Sequence, residues 1–104
     1  MDYKVVVTAH AESALDGFLH YLIVNKQNPM AAKSVLDDFE KAKIALSKIA
    51  GSLRLCDNPT LRKIGYRRMN FLTHRYFILY RIENDTVIID DVFHALQDYE
   101  NQWN

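Results

Sequence analysis

The sequence predicts an α+β domain in which a helical hairpin covers one face of an antiparallel β-sheet. Three observations support this class: a valine-rich strand begins the chain, two long helical patterns follow it, and three apolar stretches separated by short turns come last. Helices followed by locally connected strands are typical of α+β domains rather than of alternating α/β folds. With 104 residues, 49% of them hydrophobic, the chain suits one domain with one core.

The N-terminal half is predicted to contain a short strand and two helices. The segment DYKVVVTA, residues 2–9, is rich in valine and predicts a buried strand. Apolar residues then recur at helical spacing, which predicts a helix over about residues 10–27. Asn28 and Pro29 mark a helix start, because asparagine caps helices and proline is tolerated in the first turn. This second helix continues to Gly51 and forms a hairpin with the first.

The C-terminal half is predicted to contain a loop and a meander. Residues 51–60 include glycine, asparagine and proline without a sustained period, which indicates a loop. Three strands follow, at about residues 63–71, 75–83 and 86–93. Short connections, Leu72 to His74 and Asn84 to Asp85, join them, so we expect an antiparallel arrangement. The predicted order is therefore β-α-α-β-β-β.

Composition narrows the classes of protein that the chain can belong to. It contains no apolar run of the roughly 20 residues that a membrane span needs. The N-terminus lacks the charged and then apolar pattern of a secretory signal, so we expect a cytoplasmic protein with no membrane partner. Cys56 is the one cysteine, which excludes an internal disulfide and agrees with a reducing compartment. No cysteine or histidine neighbours it at metal-ligand spacing, so we expect no metal and no cofactor.

Charge is segregated along the chain although the formal net charge is zero. Residues 1–50 contain six lysines and six acidic residues, residues 51–83 seven basic and two acidic residues, and residues 84–104 five acidic residues and no lysine or arginine. Every arginine lies between Arg54 and Arg81. Because a guanidinium binds phosphate or carboxylate through two parallel hydrogen bonds, this distribution predicts an anion-binding sheet. The alternative is that the arginines pair with the C-terminal acidic residues.

Two arginines and a histidine in the predicted strands are the first candidate functional residues. Strict alternation places Arg75 and Arg81 on one face of a strand, and Asp90 and His94 on one face of the next. A buried strand gains nothing from unpaired charges, so the arginines indicate a rim that contacts an anion. Whether the two faces coincide depends on the strand register, which the sequence leaves open.

The C-terminal half resembles the RelE/ParE superfamily of bacterial toxins from type II toxin–antitoxin pairs. The resemblance lies in Tyr66-Arg67-Arg68, in RYFILYR at residues 75–81, in DTVII at residues 85–89, and in His94 followed by Asp98. The order of strand, helical hairpin and meander is similar along nearly the whole chain. In many relatives an arginine stands just before that aspartate, whereas this chain has Gln97. The resemblance implies a toxin that halts growth when its antitoxin is degraded.

The resemblance implies one of two mechanisms. One branch of the superfamily cleaves mRNA in the ribosomal decoding site without a metal, and the ParE-like branch poisons DNA gyrase. Metal-free cleavage needs a base, an acid and cations around the phosphate. His94 and Tyr99 are the catalytic candidates, because histidine exchanges protons near neutral pH and tyrosine can donate a proton or stack on a base. We therefore favour mRNA cleavage, with gyrase inhibition as the first alternative and an inactive RNA-binding relative as the second.

The residues expected to bind phosphate or the target are basic, namely Arg67, Arg68, Arg75, Arg81 and Lys63. The expected partners are a cognate antitoxin and either the ribosome with its mRNA or DNA gyrase. We expect the antitoxin to lay an acidic amphipathic helix or extended segment across the helical hairpin or the arginine-bearing face. Covering Arg67, Arg68 and Arg75 would neutralise the toxin.

Overall fold

The computed structural model describes residues 2–95 as a four-stranded sheet with two long helices and one short helix. The elements are β1 (Lys4–Val7), α1 (Ala9–His20), a π-helical turn (Tyr21–Asn25), α2 (Pro29–Ile49), a 3-10 turn (Ala50–Ser52), α3 (Pro59–Ile64), β2 (Arg67–Asn70), β3 (Tyr76–Glu83) and β4 (Thr86–His94). The α+β class and the order of strand, helical hairpin and three strands are confirmed. No helix in this part of the chain is long and apolar enough to cross a membrane.

The sheet is mixed, with the strand order β1-β4-β3-β2. Strands β2, β3 and β4 form the antiparallel meander that the sequence predicts. In contrast, β1 runs parallel to β4, with Lys4 opposite Thr86 and Val7 opposite Ile89, so the prediction of an antiparallel sheet was wrong at this strand. A tight turn fixes the direction of neighbouring strands only when it joins them, and the whole helical hairpin and meander separate β1 from β4.

A β-bulge in β4 breaks the alternation of side chains. Leu79 lies opposite Asp91 and Tyr80 lies opposite Ile89, which leaves Asp90 as the extra residue. Side chains before and after the bulge in β4 therefore do not follow one alternating pattern. The prediction that Asp90 and His94 share a face was wrong. Asp90 reaches the face of the sheet that lies away from α1 and α2, which we call the outer face.

Two apolar clusters pack on opposite faces of the sheet. The main core joins the inner face to α1 and α2, and includes Val35, Phe39 and Leu46 with Tyr76, Ile78 and Tyr80. A smaller cluster on the outer face joins Phe77, Leu79 and Phe93 to Cys56 and Leu61. The sheet is thus covered on the inner face by the hairpin, as predicted, and partly covered on the outer face by α3.

The short helix α3 replaces the end of the predicted loop and the start of the predicted strand. Asn58 caps it by accepting hydrogen bonds from the backbone N–H groups of Thr60 and Leu61 at 2.9 and 3.1 Å. Pro59 occupies its first turn, and Gly65 ends it with a φ of 101°. Lys63 consequently lies on a helix rather than on a strand. The first predicted helix also differs, because it changes to a π-helical turn after His20.

Candidate target-binding surface

A buried carboxylate in α2 fixes the turn that leads into β3. Asp38 is 3% exposed, and its Oδ2 accepts hydrogen bonds from Thr73 N, Thr73 Oγ1 and His74 N at 3.0, 2.7 and 3.0 Å. His74 also hydrogen-bonds to Ser34 at 2.8 Å. Burial acts to raise the pKa of Asp38, but the hydrogen bonds from Thr73 and His74 outweigh it and place the pKa below its ordinary value. These contacts hold the following residue, Arg75, in a defined place.

Arg75 and His94 lie at the same end of the sheet. The backbone carbonyl of Arg75 accepts a hydrogen bond from Ala95 N at 2.7 Å, and the Arg75 side chain is exposed. His94 lies opposite Tyr76 in the register, and their rings meet edge to face with centroids 5.1 Å apart. Tyr76 in turn contacts Phe18 of α1. One predicted phosphate ligand and one predicted proton-transfer residue thus lie at the same end of the sheet.

Arg68 lies over an aromatic pair on the outer face. Its guanidinium carbon is 4.0 Å from the centroid of the Phe77 ring, and the Phe77 ring stacks on Phe93 at 5.4 Å. Arg68 Nε donates a hydrogen bond to Asn70 Oδ1 at 2.9 Å. The cation–π contact and the hydrogen bond orient the side chain, which is exposed. Arg68 thus presents a positioned cation at the surface.

Arg67 and Arg81 make contacts within the protein. Arg67 donates from Nη1 to the backbone carbonyl of Leu53. Arg81 donates from Nε to Asp90 Oδ2 at 2.9 Å, and from Nη1 to Glu83. The hydrogen bonds to Asp90 and Glu83 raise the pKa of Arg81 above its ordinary value. Internal pairing with an acidic residue, the alternative that the sequence left open, holds for Arg81.

The bulge residue Asp90 joins Tyr66 and Arg81 on the outer face. Its Oδ2 accepts hydrogen bonds from Tyr66 OH at 2.8 Å and from Arg81 Nε at 2.9 Å. Burial and the neighbouring Asp90 carboxylate raise the pKa of Tyr66. The adjacent Asp91 pairs with His10 at 3.0 Å. The sequence does not predict that Tyr66 pairs with Asp90 or that His10 pairs with Asp91, because a bulge without a glycine carries no sequence signal that would locate it.

The remaining predicted residues are Lys63 and Tyr99. Lys63 is exposed on α3. Tyr99 and Gln97 lie outside the described residues, so the role of Tyr99 beside His94 stays a prediction.

A groove follows the edge of β2. Its larger part, about 490 Å³, lies between β2 and residues 53–57. Its smaller part, about 110 Å³, lies between β2 and α2. Met69 and Asn70 line both parts, so both cavities lie against the same strand.

Known proteins share this architecture. A family model described as "ParE toxin of type II toxin-antitoxin system, parDE" matches residues 5–99. The solved structure of a chromosomal ParDE toxin–antitoxin system from P. aeruginosa aligns with a TM-score of 0.71 at 18% identity, over 89% of this chain and 96% of that chain. The toxin–antitoxin complex RelBE2 from Mycobacterium tuberculosis aligns with a TM-score of 0.56 at 21% identity, over 90% and 99%. At these identities the two structures show a shared fold. No curated protein gives a significant sequence match.

Proposed function

Because the chain belongs to the ParE toxin family of type II toxin–antitoxin systems, we propose that it arrests bacterial growth by binding DNA gyrase rather than by cutting RNA. Gyrase is the target that the resemblance to ParE-like toxins implies. The match to this family over residues 5–99 supports that branch of the superfamily. A cognate antitoxin holds the toxin inactive until the antitoxin is degraded.

The observation that carries the proposal is the internal use of two of the candidate arginines. Metal-free RNA cleavage needs a proton acceptor, a proton donor and cations around one phosphate. Arg81 is bound to Asp90 and Glu83, and Arg67 donates to a backbone carbonyl. Neither supports a phosphate clamp beside His94. The exposed Arg68 and its neighbours suit protein docking, in which arginine is an enriched anchor.

Ribosome-dependent mRNA cleavage is the second candidate, and one arrangement favours it. Arg75 and His94 lie at the same end of the sheet, where Ala95 N donates to the Arg75 carbonyl at 2.7 Å. In this mechanism His94 exchanges a proton with the reacting ribose or leaving group, and Arg75 binds the scissile phosphate. Tyr99, which follows in the chain, would be the second proton-transfer group.

Expression without the antitoxin in growing bacteria separates the two candidates. Pulse labelling of DNA and protein synthesis shows which process stops first. If the toxin inhibits gyrase, DNA synthesis should stop first. If it cleaves mRNA, protein synthesis should stop first. With purified components, the toxin should stabilise broken DNA bound to gyrase and leave mRNA on ribosomes intact. Continued growth at equal expression would contradict both candidates and favour the inactive RNA-binding relative.

Single substitutions test the same choice at the level of residues. Gyrase binding predicts that His94→Ala retains growth arrest, whereas Arg68→Glu relieves it. Lys33→Glu is the matched charge reversal at an exposed position of α2 and should retain growth arrest. The cleavage mechanism predicts instead that His94→Ala slows mRNA cleavage by roughly 100-fold or more. Circular dichroism of each variant checks that a lost effect does not come from unfolding.

A further inference from the structure

One side of β1 forms an open edge of the sheet. β1 is the first strand in the order β1-β4-β3-β2, so within residues 2–95 no strand pairs with it on the side away from β4. The backbone N–H groups of Lys4 and Thr8 donate to carbonyls on the β4 side at 2.9 and 3.0 Å. Because alternate residues of a strand bond to the same side, the N–H and C=O groups of Val5 and Val7 point to the open edge.

The pattern of backbone groups at this edge selects one symmetric register. Tyr3 also faces the edge, but its N–H already donates to Ser47 O at 2.6 Å. An antiparallel β1 from a second copy therefore finds its partners in Val5 and Val7. With Val5 opposite Val7 of the partner subunit, and Val7 opposite the partner's Val5, each pair exchanges two backbone hydrogen bonds. The two-fold axis then passes between Val6 and the partner's Val6.

The outward side chains of β1 are compatible with this register. Val6 is 39% exposed and would lie directly opposite its own copy. Pairs of β-branched side chains in such positions stabilise neighbouring strands. Lys4, the exposed cation of β1, would lie opposite Thr8 of the partner subunit, so like charges do not meet.

The charges beside this edge also favour a second copy as the occupant. Asp2 pairs with Lys48 at 3.9 Å, and Glu40 pairs with Lys43 at 3.1 Å. Both signs of charge are thus present and paired, which makes the surface complementary to itself. A strongly acidic or basic partner finds complementary charge at Arg68 on β2 rather than here.

An apolar side chain of α2 would be covered in the same arrangement. Ile44 is 65% exposed and, with Tyr3 and Val5, lines a cavity of about 280 Å³ between α2 and β1. Antiparallel pairing of two edge strands has its two-fold axis perpendicular to the sheet, so both helical hairpins lie on the same side. The two copies of Ile44 then face each other across the axis, and their burial adds hydrophobic stabilisation.

We propose that two copies of the toxin pair through the edge of β1, so that two four-stranded sheets form one continuous sheet. The interface is isologous, with the same residues on both sides of the axis. β2 and Arg68 of each copy lie at the far ends of the extended sheet. One dimer therefore presents two target-binding surfaces, whichever target they contact.

Sedimentation of antitoxin-free toxin tests the pairing. We expect the wild-type chain to be dimeric at about 100 μM, and Val6→Lys to dissociate at least roughly tenfold more readily, because two ammonium groups meet at the axis. Ile64→Lys, which replaces an apolar residue 53% exposed on α3, is the matched control and should remain dimeric. A monomeric wild-type chain, or equal dissociation of the two variants, would overturn the proposal.

Cysteine cross-linking tests the register. In the proposed pair the Cα atoms of Val6 and the partner's Val6 are about 4.5 Å apart, which a disulfide spans. Val6→Cys should therefore give a covalent dimer on mild oxidation. Lys4→Cys should not, because four residues of strand, about 13 Å, separate Lys4 from the partner's Lys4. The wild-type chain, whose Cys56 is 5% exposed, is the second control. Equal cross-linking of both variants, or none, would overturn this register.

Hydrogen–deuterium exchange separates a second copy from other occupants of the edge. The amides of Val5 and Val7 should gain protection as the concentration of antitoxin-free toxin rises, whereas the amide of Val6, which faces β4, should not change. Protection that appears only after the antitoxin or gyrase is added would assign the edge to that protein and overturn self-pairing. Such a result would leave the proposed function intact, because growth arrest does not enter this test.

Discussion

Replacing Asp38 with alanine should lower the free energy of unfolding by about 2–4 kcal/mol. The side chain is 3% exposed, and one oxygen accepts from Thr73 N, Thr73 Oγ1 and His74 N at 2.7–3.0 Å. A hydrogen bond to a charged group contributes about 1.5–3 kcal/mol, and water replaces part of this at the partly exposed donors. Since a domain of this size has about 5–15 kcal/mol in total, the loss is large.

Urea and thermal unfolding followed by circular dichroism measure this loss. Asp37→Ala is the matched control, because it removes the same charge from an exposed position one residue away on α2. We expect the melting temperature of Asp38→Ala to fall by about 10–20 °C and that of the control to stay within a few degrees. A loss below about 1 kcal/mol, or an equal loss in the control, would refute the reasoning.

Acid should weaken the same contact. The pKa of Asp38 lies below its ordinary value in the folded protein, so the folded state favours the ionised carboxylate. That stabilisation is present above the pKa of the unfolded state and is lost as pH falls through the folded pKa. Below about pH 4, wild type should therefore lose stability more steeply than Asp38→Ala. Parallel pH profiles would contradict the assignment.

Three further substitutions test other parts of the structure. Tyr80→Phe removes the hydroxyl that donates to the buried Ala50 carbonyl at 2.7 Å, and should cost about 1–3 kcal/mol in urea unfolding. Burial raises the pKa of Tyr80 to about 12. In an absorbance titration, the variant should therefore show one tyrosine fewer ionising at the high-pH end. Arg81→Met removes the guanidinium partner of Asp90 and should lower the melting temperature. The folded variant should still arrest growth. Loss of growth arrest in folded protein would show that Arg81 contacts the target. Gly65→Ala should lower the free energy of unfolding by about 1–2 kcal/mol in the same assay, because the backbone φ of residue 65 is 101°. The added Cβ itself has no neighbour within 4 Å. An unchanged stability would contradict this prediction.

Helix-capping signals predict most of the N-terminal half, and the same signal occurs again in the C-terminal half. Asn28 caps α2 by accepting from Ala31 N at 3.1 Å, with Pro29 in the first turn, as the sequence predicts. Asn58 and Pro59 repeat the same pair at the start of α3. The sequence around this second pair nevertheless predicts a loop, because a six-residue helix is too short to show an apolar period.

The candidate site was less predictable than the fold because it depends on register. Alternation predicted one face for Arg75 and Arg81 and another for Asp90 and His94, but the bulge at Asp90 interrupts the second pattern. Asp90 consequently pairs with Arg81 on the outer face, whereas His94 contacts Tyr76, which belongs to the main core. The sequence predicts the types of residue in the candidate site, whereas the partners of these residues depend on the three-dimensional pairing.

The parallel pairing of β1 with β4 affects how the protein folds during synthesis. Val7 in β1 pairs with Ile89 in β4, although the helical hairpin, α3, β2 and β3 lie between them in the chain. Such a sheet has a high contact order, and its last strand pair forms only after loop closure over most of the chain. At a translation rate of about 5–20 residues per second, β1 waits several seconds for its partner. The sheet therefore closes only after β4 has been synthesised, and chains that stop before β4 lack the partner strand of β1.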